Sequence, residues 1–146
     1  MINNAIDAYN RTTVAANINK EDILLKLYDG VIRFISFAQK AAEEGNIPRK
    51  GEFISRSLAI ITELDNALDR KNGGVIADNL SFIYFYVTRL LTDANIGNNP
   101  KPLQEARELL DGLLDSWHKA VRQKTVSECD PTKADKIQSN GMINVA

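Results

Sequence analysis

Four stretches of apolar residues at helical spacing make up most of this chain, and only short breaks separate them. The breaks consist of residue types that end helices and form turns, namely Gly45-Asn46, Asn72-Gly73-Gly74 and Gly97-Asn98-Asn99-Pro100. No segment alternates apolar and polar residues for long, so strands are not indicated. We therefore predict an all-α fold. Short connections favour antiparallel neighbours in such a fold. Its expected architecture is an antiparallel up-down four-helix bundle with helices near residues 20–44, 48–71, 75–95 and 101–124.

The two ends of the chain differ from these stretches. Residues 1–18 are polar and threonine-rich, with a few apolar residues spaced like docking points, and residues 125–146 have a mixed polar composition. Terminal segments of this kind are commonly mobile unless other parts of the protein hold them. The sequence therefore predicts an N-terminal cap or linker over residues 1–18, a helical bundle over 19–124 and a mobile, flexible C-terminal tail over 125–146.

Composition argues against several classes of function. The chain has 146 residues, of which 44% are hydrophobic and 25% charged, so it can bury one core. Its formal net charge of −1 provides no basic field for nucleic acid. Its longest apolar runs are only a few residues, too short for stable membrane insertion. The N-terminus lacks the basic start and apolar core of a signal peptide. We expect a cytoplasmic protein that binds no nucleic acid.

Residues that could carry catalysis or bind a metal are few. The chain has one histidine, His118, and one cysteine, Cys129, and neither has a local partner for a ligand set or a catalytic pair. The carboxylates of the fourth helix point outward and lack the Glu-x-x-His pairs of carboxylate-bound metal centres. We therefore predict no enzyme, no catalytic or metal-binding residue and no cofactor. Asp65 falls close to the apolar stripe of the second helix, so we expect it to accept a hydrogen bond from a tyrosine such as Tyr28 or Tyr84.

The third helix is apolar on more sides than one core requires. One stripe of its residues can face a bundle interior, yet Phe82, Phe85 and Tyr86 fall on the other side, beside Arg89 and Asp93. The first helix also exceeds the three apolar positions in seven that a four-helix core needs. This surplus predicts a surface for a helical or extended partner segment laid into grooves between helices. The alternative is that a second copy of the chain or the flanking segments cover it.

Several short strings, taken in order, resemble one known family. They are Ala8-Tyr9, Leu27-Tyr28-Asp29-Gly30, Gly73-Gly74 with Ile76-Ala77-Asp78-Asn79-Leu80, Tyr84-x-Tyr86, Arg89-Leu90-Leu91, Ala94-Asn95, Leu109-Leu110 and Trp117. Their order and spacing over about residues 5–121 resemble FliS, the flagellin-specific export chaperone of bacteria. The strings L-Y-D-G and G-G-x-I-A-x-N-L, occurring together in this order, carry most of the resemblance.

The resemblance implies a small helical-bundle chaperone of the flagellar type III export system. In that family the partner is the disordered C-terminal segment of flagellin, which wraps the bundle and becomes partly helical in apolar grooves. The chaperone holds flagellin monomeric in the cytoplasm and helps to deliver it to the export apparatus, so an export-gate protein is a second expected partner. The segment that carries Ala8-Tyr9 is implied to lie over part of the cargo surface and to give way to cargo.

The expected cargo surface spreads over several helices. Ordering a disordered segment costs about 1–2 kcal/mol per residue, which a single pocket cannot offset. The residues expected to contact flagellin, some of which are expected to prove part of the bundle core, are Tyr9, Ile23, Leu27, Tyr28, Ile32, Ile60, Leu64, Leu68, Ile76, Ile83, Tyr84 and Tyr86. The alternative interpretation is a self-associating helical-bundle interaction protein, a homodimer formed through the same surplus surface.

Overall fold

The computed structural model of the protein describes residues 19–129 and the side chains of residues 19–124. Within this part of the chain there are four α-helices and no strand: α1 (Lys20–Glu43), α2 (Ile47–Asn66), α3 (Gly74–Ile96) and α4 (Lys101–Cys129). The prediction of an all-α four-helix bundle is confirmed. The calls on residues 1–18 and 130–146 lie outside the described residues.

Packing between α1 and α2 is antiparallel. Near the connection between the two helices, the ring of Phe53 lies 5.1 Å from that of Phe37 and 6.0 Å from that of Phe34, between centroids. Farther from the connection, Ile60 reaches the backbone of α1 at Gly30, where an added Cβ would lie 3.5 Å from the Ile60 Cδ1 atom. Contact positions therefore move back along α1 as they move forward along α2, as in an up-down pair.

The α2–α3 pair is antiparallel for the same reason. At one end, the Lys50 ammonium of α2 donates hydrogen bonds to the carbonyl oxygens of Ala94 and Gly97, at 3.1 and 3.0 Å, where α3 ends. At the other end, the Ser81 hydroxyl of α3 donates to the Asp65 carboxylate of α2 at 2.8 Å. The lysine thus places a positive charge at the C-terminal end of α3, where the helix dipole favours it.

Two side-chain hydrogen bonds connect the first part of α4 to its neighbours. Tyr86 of α3 donates to Glu105 at 2.5 Å, and Arg107 donates to Gln39 of α1 at 3.4 Å. The described chain divides into two compact units, with the boundary inside α4 between Leu114 and Asp115. The four-helix packing described here concerns the residues up to that boundary.

Residues from all four helices form the core. The largest of its fully buried apolar side chains are Tyr28, Val31 and Ile35 of α1, Ile54, Ile61 and Leu64 of α2, Tyr84, Val87 and Leu91 of α3, and Leu103 and Leu110 of α4. These residues recur at intervals of three, four or seven within each helix, the spacing of one helical face. None of the helices in the described part of the chain is both long enough and apolar enough to cross a membrane.

Two helix ends differ from the predicted ones. α2 ends at Asn66 rather than near Lys71, because the Asp69 carboxylate accepts hydrogen bonds from the backbone N–H groups of Lys71 and Asn72 and folds this stretch into turns. The hydrogen bonds from Asn72 hold the pKa of Asp69 below its usual range. The fourth helix is longer than predicted, since it runs to Cys129 instead of ending near residue 124.

Candidate protein-binding surface

Large apolar side chains remain exposed on three of the helices. Among the described residues there are nine of them: Ile23 and Phe37 on α1, Ile47 on α2, and Val75, Ile76, Phe82, Phe85, Tyr86 and Ile96 on α3. Six of these nine lie on one helix. A contiguous exposed apolar surface on a soluble protein commonly marks a site of protein–protein interaction.

The outward face of α3 carries the most exposed of these aromatic rings. Phe82 is 71% exposed and Phe85 is 69% exposed, whereas Tyr86 is 38% exposed because its ring lies toward α4. The Tyr86 hydroxyl donates to Glu105, and this hydrogen bond to the neutral phenol raises the pKa of Tyr86. The two phenylalanines offer no polar atom, so what they can do chemically is pack against another apolar surface.

An apolar groove opens at the end of the bundle where α1 begins and α2 ends. It has a volume of about 300 Å³ and is lined by Lys20, Glu21, Ile23, Leu24, Leu27 and Ala67. We call it the end groove. Leu68 follows Ala67 and is half-buried, and α3 begins at the same end of the bundle with the exposed Ile76. This end therefore presents aliphatic side chains from three helices.

The cleft between α2 and α3 is more polar. It has a volume of about 210 Å³ and is lined by Ile61, Thr62, Asp65, Ser81, Tyr84, Phe85 and Thr88. The Asp65 carboxylate accepts hydrogen bonds from Ser81 at 2.8 Å and from Arg70 at 3.0 Å. The expectation that a tyrosine donates to Asp65 was wrong, because the hydroxyls of Tyr28 and Tyr84 hydrogen-bond to each other instead.

A third apolar feature is an aromatic cluster on α1 and α2, made by Phe34, Phe37 and Phe53. The guanidinium groups of Arg49 and Arg56 lie over the Phe53 ring, 5.4 and 5.9 Å from its centroid. Cations over aromatic faces cover the rings and are attracted to them. The rings of this cluster are therefore partly covered by side chains of the protein itself, unlike the exposed rings of the phenylalanines of α3.

The residues predicted to contact a partner fall into three classes. Ile23, Ile76 and Tyr86 are exposed. A second group is half-buried and presents only part of each side chain: Leu27, Ile32, Ile60, Leu68 and Ile83. Tyr9 lies outside the described residues.

Three predicted contact residues belong to the core. Tyr28, Leu64 and Tyr84 are each at most 2% exposed, so they present no surface to a partner. These three residues were assigned to the cargo surface from a helical wheel. A wheel shows which residues share a face of a helix, but it does not show how deeply the neighbouring helices cover that face. The surface thus loses three residues, and its remaining described members lie around the end groove, the α1–α2 boundary and α3.

Some exposed apolar residues were missing from the predicted contact set. Val75, Ile96 and Ile47 lie at helix ends, Phe37 lies beyond the apolar stripe of α1, and Phe85 lies on the side of α3 that faces away from its core stripe. A helix end extends past the neighbouring helices, so an apolar residue there can be exposed even at a core position of the wheel. Distance from the nearest helix end is the signal that would have identified the first three.

Groups that could hold a metal are missing from the described part of the chain, where no three histidine, cysteine, aspartate or glutamate side chains cluster suitably. His118 is exposed on α4. The arrangement of the described residues supports binding through apolar contact.

Comparison with known proteins identifies one family. The family model for the flagellar protein FliS matches residues 2–124 of this chain. The flagellar secretion chaperone FliS of Campylobacter jejuni is 32% identical over 126 residues, which cover 86% of this chain and 98% of the relative. The FliS chaperone of Salmonella typhimurium is 32% identical over 77% of this chain and 86% of its own length. The one of Bacillus subtilis is 30% identical over 84% and 90%.

Proposed function

This chain belongs to the FliS family of flagellar proteins, and on that premise we propose that it is a cytoplasmic export chaperone that binds the disordered C-terminal segment of flagellin. Bound in this way, flagellin is kept from polymerising prematurely and is held ready for the flagellar export apparatus. To deliver flagellin to the export apparatus, the chaperone also binds an export-gate protein, which is the second proposed partner. The function requires no covalent step, so the proposal includes no enzymatic activity and no cofactor.

The observation that carries the proposal is that exposed large apolar side chains occur on three helices rather than in one pocket. A disordered segment that folds on binding must offset an ordering cost of about 1–2 kcal/mol per residue. Coupled folding of this kind typically buries about 1,000–3,000 Å². A segment that wraps several helices can reach such an area, whereas a ligand confined to the 300 Å³ end groove cannot.

Within this surface we place one contact region at the bundle end that carries the end groove. Ile23 and Leu27 line the groove, and Ile76 stands at the same end, exposed to 71%. Four of the six residues that line the groove are aliphatic, so it fits an apolar helical or extended segment better than a charged one. The remaining proposed contacts are Tyr9, Ile32, Ile60, Leu68, Ile83 and Tyr86.

Three isoleucines near helix N-termini provide a matched test. Ile23 and Ile76 lie at the proposed contact region, whereas Ile47 lies at the opposite end of the bundle and is also exposed. An aspartate near a helix N-terminus is compatible with the helix dipole, so all three Ile→Asp variants should fold. Binding of a synthetic peptide with the C-terminal sequence of the same bacterium's flagellin is measured by isothermal titration calorimetry.

We expect Ile23→Asp and Ile76→Asp each to weaken peptide binding about five- to thirtyfold, because each removes apolar contact area and adds a charge. Ile47→Asp should bind as the unmodified protein does. Equal weakening by all three variants would contradict the assigned surface. A protein that binds no flagellin peptide at all, while its circular dichroism shows a folded bundle, would contradict the proposed function itself.

A further inference from the structure

A cavity at the end of the bundle opposite the end groove contains a buried positive charge. It has a volume of about 220 Å³ and is lined by Ala42, Gly45, Ile47, Lys50 and Asn98, none of which is acidic. We call it the lysine cavity. Lys50 is only 5% exposed, and within the described residues no carboxylate pairs with its ammonium. A buried charge is costly unless a counter-ion accompanies it.

The hydrogen bonds of Lys50 leave part of its capacity unused. An ammonium group has three N–H donors, and two of them are accepted by the carbonyl oxygens of Ala94 and Gly97, at 3.1 and 3.0 Å. The C-terminal end of a helix carries a dipole charge of about −0.5, so the end of α3 offsets the ammonium only in part. One N–H donor and part of a unit charge therefore remain for a ligand in the lysine cavity.

Two further residues of the lysine cavity have N–H donors to offer. In the first turn of α2, the backbone N–H groups of Arg49 and Lys50 are both accepted by Asn46. Within the part of the chain that the structure describes, neither the backbone N–H of Ile47 nor the side-chain amide of Asn98 donates a hydrogen bond. A cation combined with free N–H donors at the start of a helix is the composition of an anion site.

We propose that the lysine cavity binds a carboxylate group of a polypeptide partner other than the cargo segment. Its one cation matches a group with a single negative charge, whereas a phosphate, with a charge of about −1.5 to −2 at pH 7, would be left partly unpaired. Ala42 and Ile47 give the cavity apolar walls, which suit the carbon atoms that carry a carboxylate in a peptide. The cavity lies at the opposite end of the bundle from the end groove, so cargo and this partner can bind at the same time.

Small carboxylates test the site directly. The full chain is titrated at constant ionic strength, and binding is followed by NMR through the backbone amide signals of Ile47 and Asn98. N-acetylglycine represents the C-terminal carboxylate of a chain, and N-acetylglutamate α-amide represents a glutamate side chain. N-acetylglycinamide has nearly the same shape without the charge and is the control probe. We expect saturable shifts with millimolar affinity for at least one carboxylate and none for the amide, and the carboxylate that binds identifies which source the site accepts.

Two neighbouring asparagines provide matched variants. Asn98→Asp places a carboxylate at the cavity, where it repels the probe and competes for Lys50, so we expect binding to weaken about tenfold or more. Asn99→Asp adds the same charge one residue away, outside the cavity lining, and an aspartate can keep the hydrogen bond that Asn99 accepts from the backbone N–H of Lys101. It should bind the probe as the unmodified protein does. Lys50→Met should abolish saturable binding, with circular dichroism as the check on folding, and the asparagine pair decides the question if that variant does not fold.

The proposal is overturned if neither carboxylate gives saturable shifts, or if the neutral amide binds equally well. Equal weakening by Asn98→Asp and Asn99→Asp overturns it as well, since the probe then responds to general charge rather than to the lysine cavity. These titrations contain no flagellin, so their failure leaves the proposed chaperone function untouched. The flagellin peptide should bind Asn98→Asp as it binds the unmodified protein, and a loss of that binding would overturn the assignment of the cavity to a separate partner.

Discussion

The hydroxyl groups of Tyr28 and Tyr84 hydrogen-bond to each other inside the bundle and so join α1 to α3 across the core. Their rings are tilted by 50°, with centroids 6.5 Å apart, and both residues are almost fully buried. A buried hydroxyl that lacks a hydrogen-bond partner destabilises the folded state. The two tyrosines therefore specify which faces of the helices meet, in addition to filling volume.

Removing both hydroxyls of this pair should cost less than the sum of the costs of removing each one alone. Tyr28→Phe deprives the buried Tyr84 hydroxyl of its partner, and we expect it to lower the free energy of unfolding by about 1–3 kcal/mol. Tyr84→Phe should act in the same direction. The double Phe variant should lose less than the sum of the two single changes, because two apolar rings then face each other. Urea denaturation of the four proteins measures the coupling, and strictly additive losses would contradict a direct bond between the hydroxyls.

The same pair predicts a pH dependence. Burial, and then the hydrogen bond with Tyr28, raises the pKa of Tyr84 above its ordinary value of 10. Above that pH an unfolded chain loses the phenolic proton while the folded chain keeps it, so the unfolded state binds fewer protons. The stabilising contribution is complete below pH 10 and declines as the pH rises further, by up to about 1.4 kcal/mol per pH unit. The Tyr28→Phe/Tyr84→Phe variant should show a shallower decline in urea denaturation between pH 9 and 11.

Lys50 connects two helices through its charge. It is only 5% exposed, and its ammonium donates to the carbonyl oxygens of Ala94 and Gly97 at the C-terminal end of α3. Lys50→Met keeps the aliphatic stem but leaves both acceptors without this donor, so we expect a loss of about 1–3 kcal/mol in the free energy of unfolding. The matched control is Lys40→Met on the exposed side of α1, which should stay within about 0.5 kcal/mol of the unmodified protein. Similar losses in both variants would contradict a capping role.

The fold could be predicted from the sequence because its signals are local. Asn19 and Asn46 cap the helices that follow them, and glycine-containing breaks separate all four predicted helices. Apolar spacing within each helix then identified most of the core. A helical wheel does not show how deeply each residue is buried. Tyr28, Leu64 and Tyr84 were therefore assigned to a partner, although all three are buried in the bundle core.

Hydrogen-bond partners on other helices also could not be predicted from the sequence. Asp65 was expected to receive a tyrosine hydroxyl, but its acceptor oxygens are taken by Ser81 and by Arg70, whose position depends on the turn after α2. Nothing in the sequence around Lys50 marks it as buried, since its acceptors lie more than forty residues away. Side chains whose environment is set by another helix require the packed structure.

Gly73 lies in the tight connection between α2 and α3, and an alanine there tests how the turn is built. Gly112 in α4 provides the comparison. A Cβ atom at Gly73 would lie 2.4 Å from the Asp69 carbonyl oxygen and 2.7 Å from the Ala77 Cβ, so the backbone of the turn would have to move. We expect Gly73→Ala to lower the free energy of unfolding by about 1–3 kcal/mol through that strain. Gly112, in the middle of α4, has nothing within 4 Å of an added Cβ. Gly112→Ala should therefore stabilise the protein by about 0.5–1 kcal/mol, because alanine favours a helix interior. Thermal denaturation followed by circular dichroism should show shifts of opposite sign, and a tolerated alanine at residue 73 would contradict the tight turn.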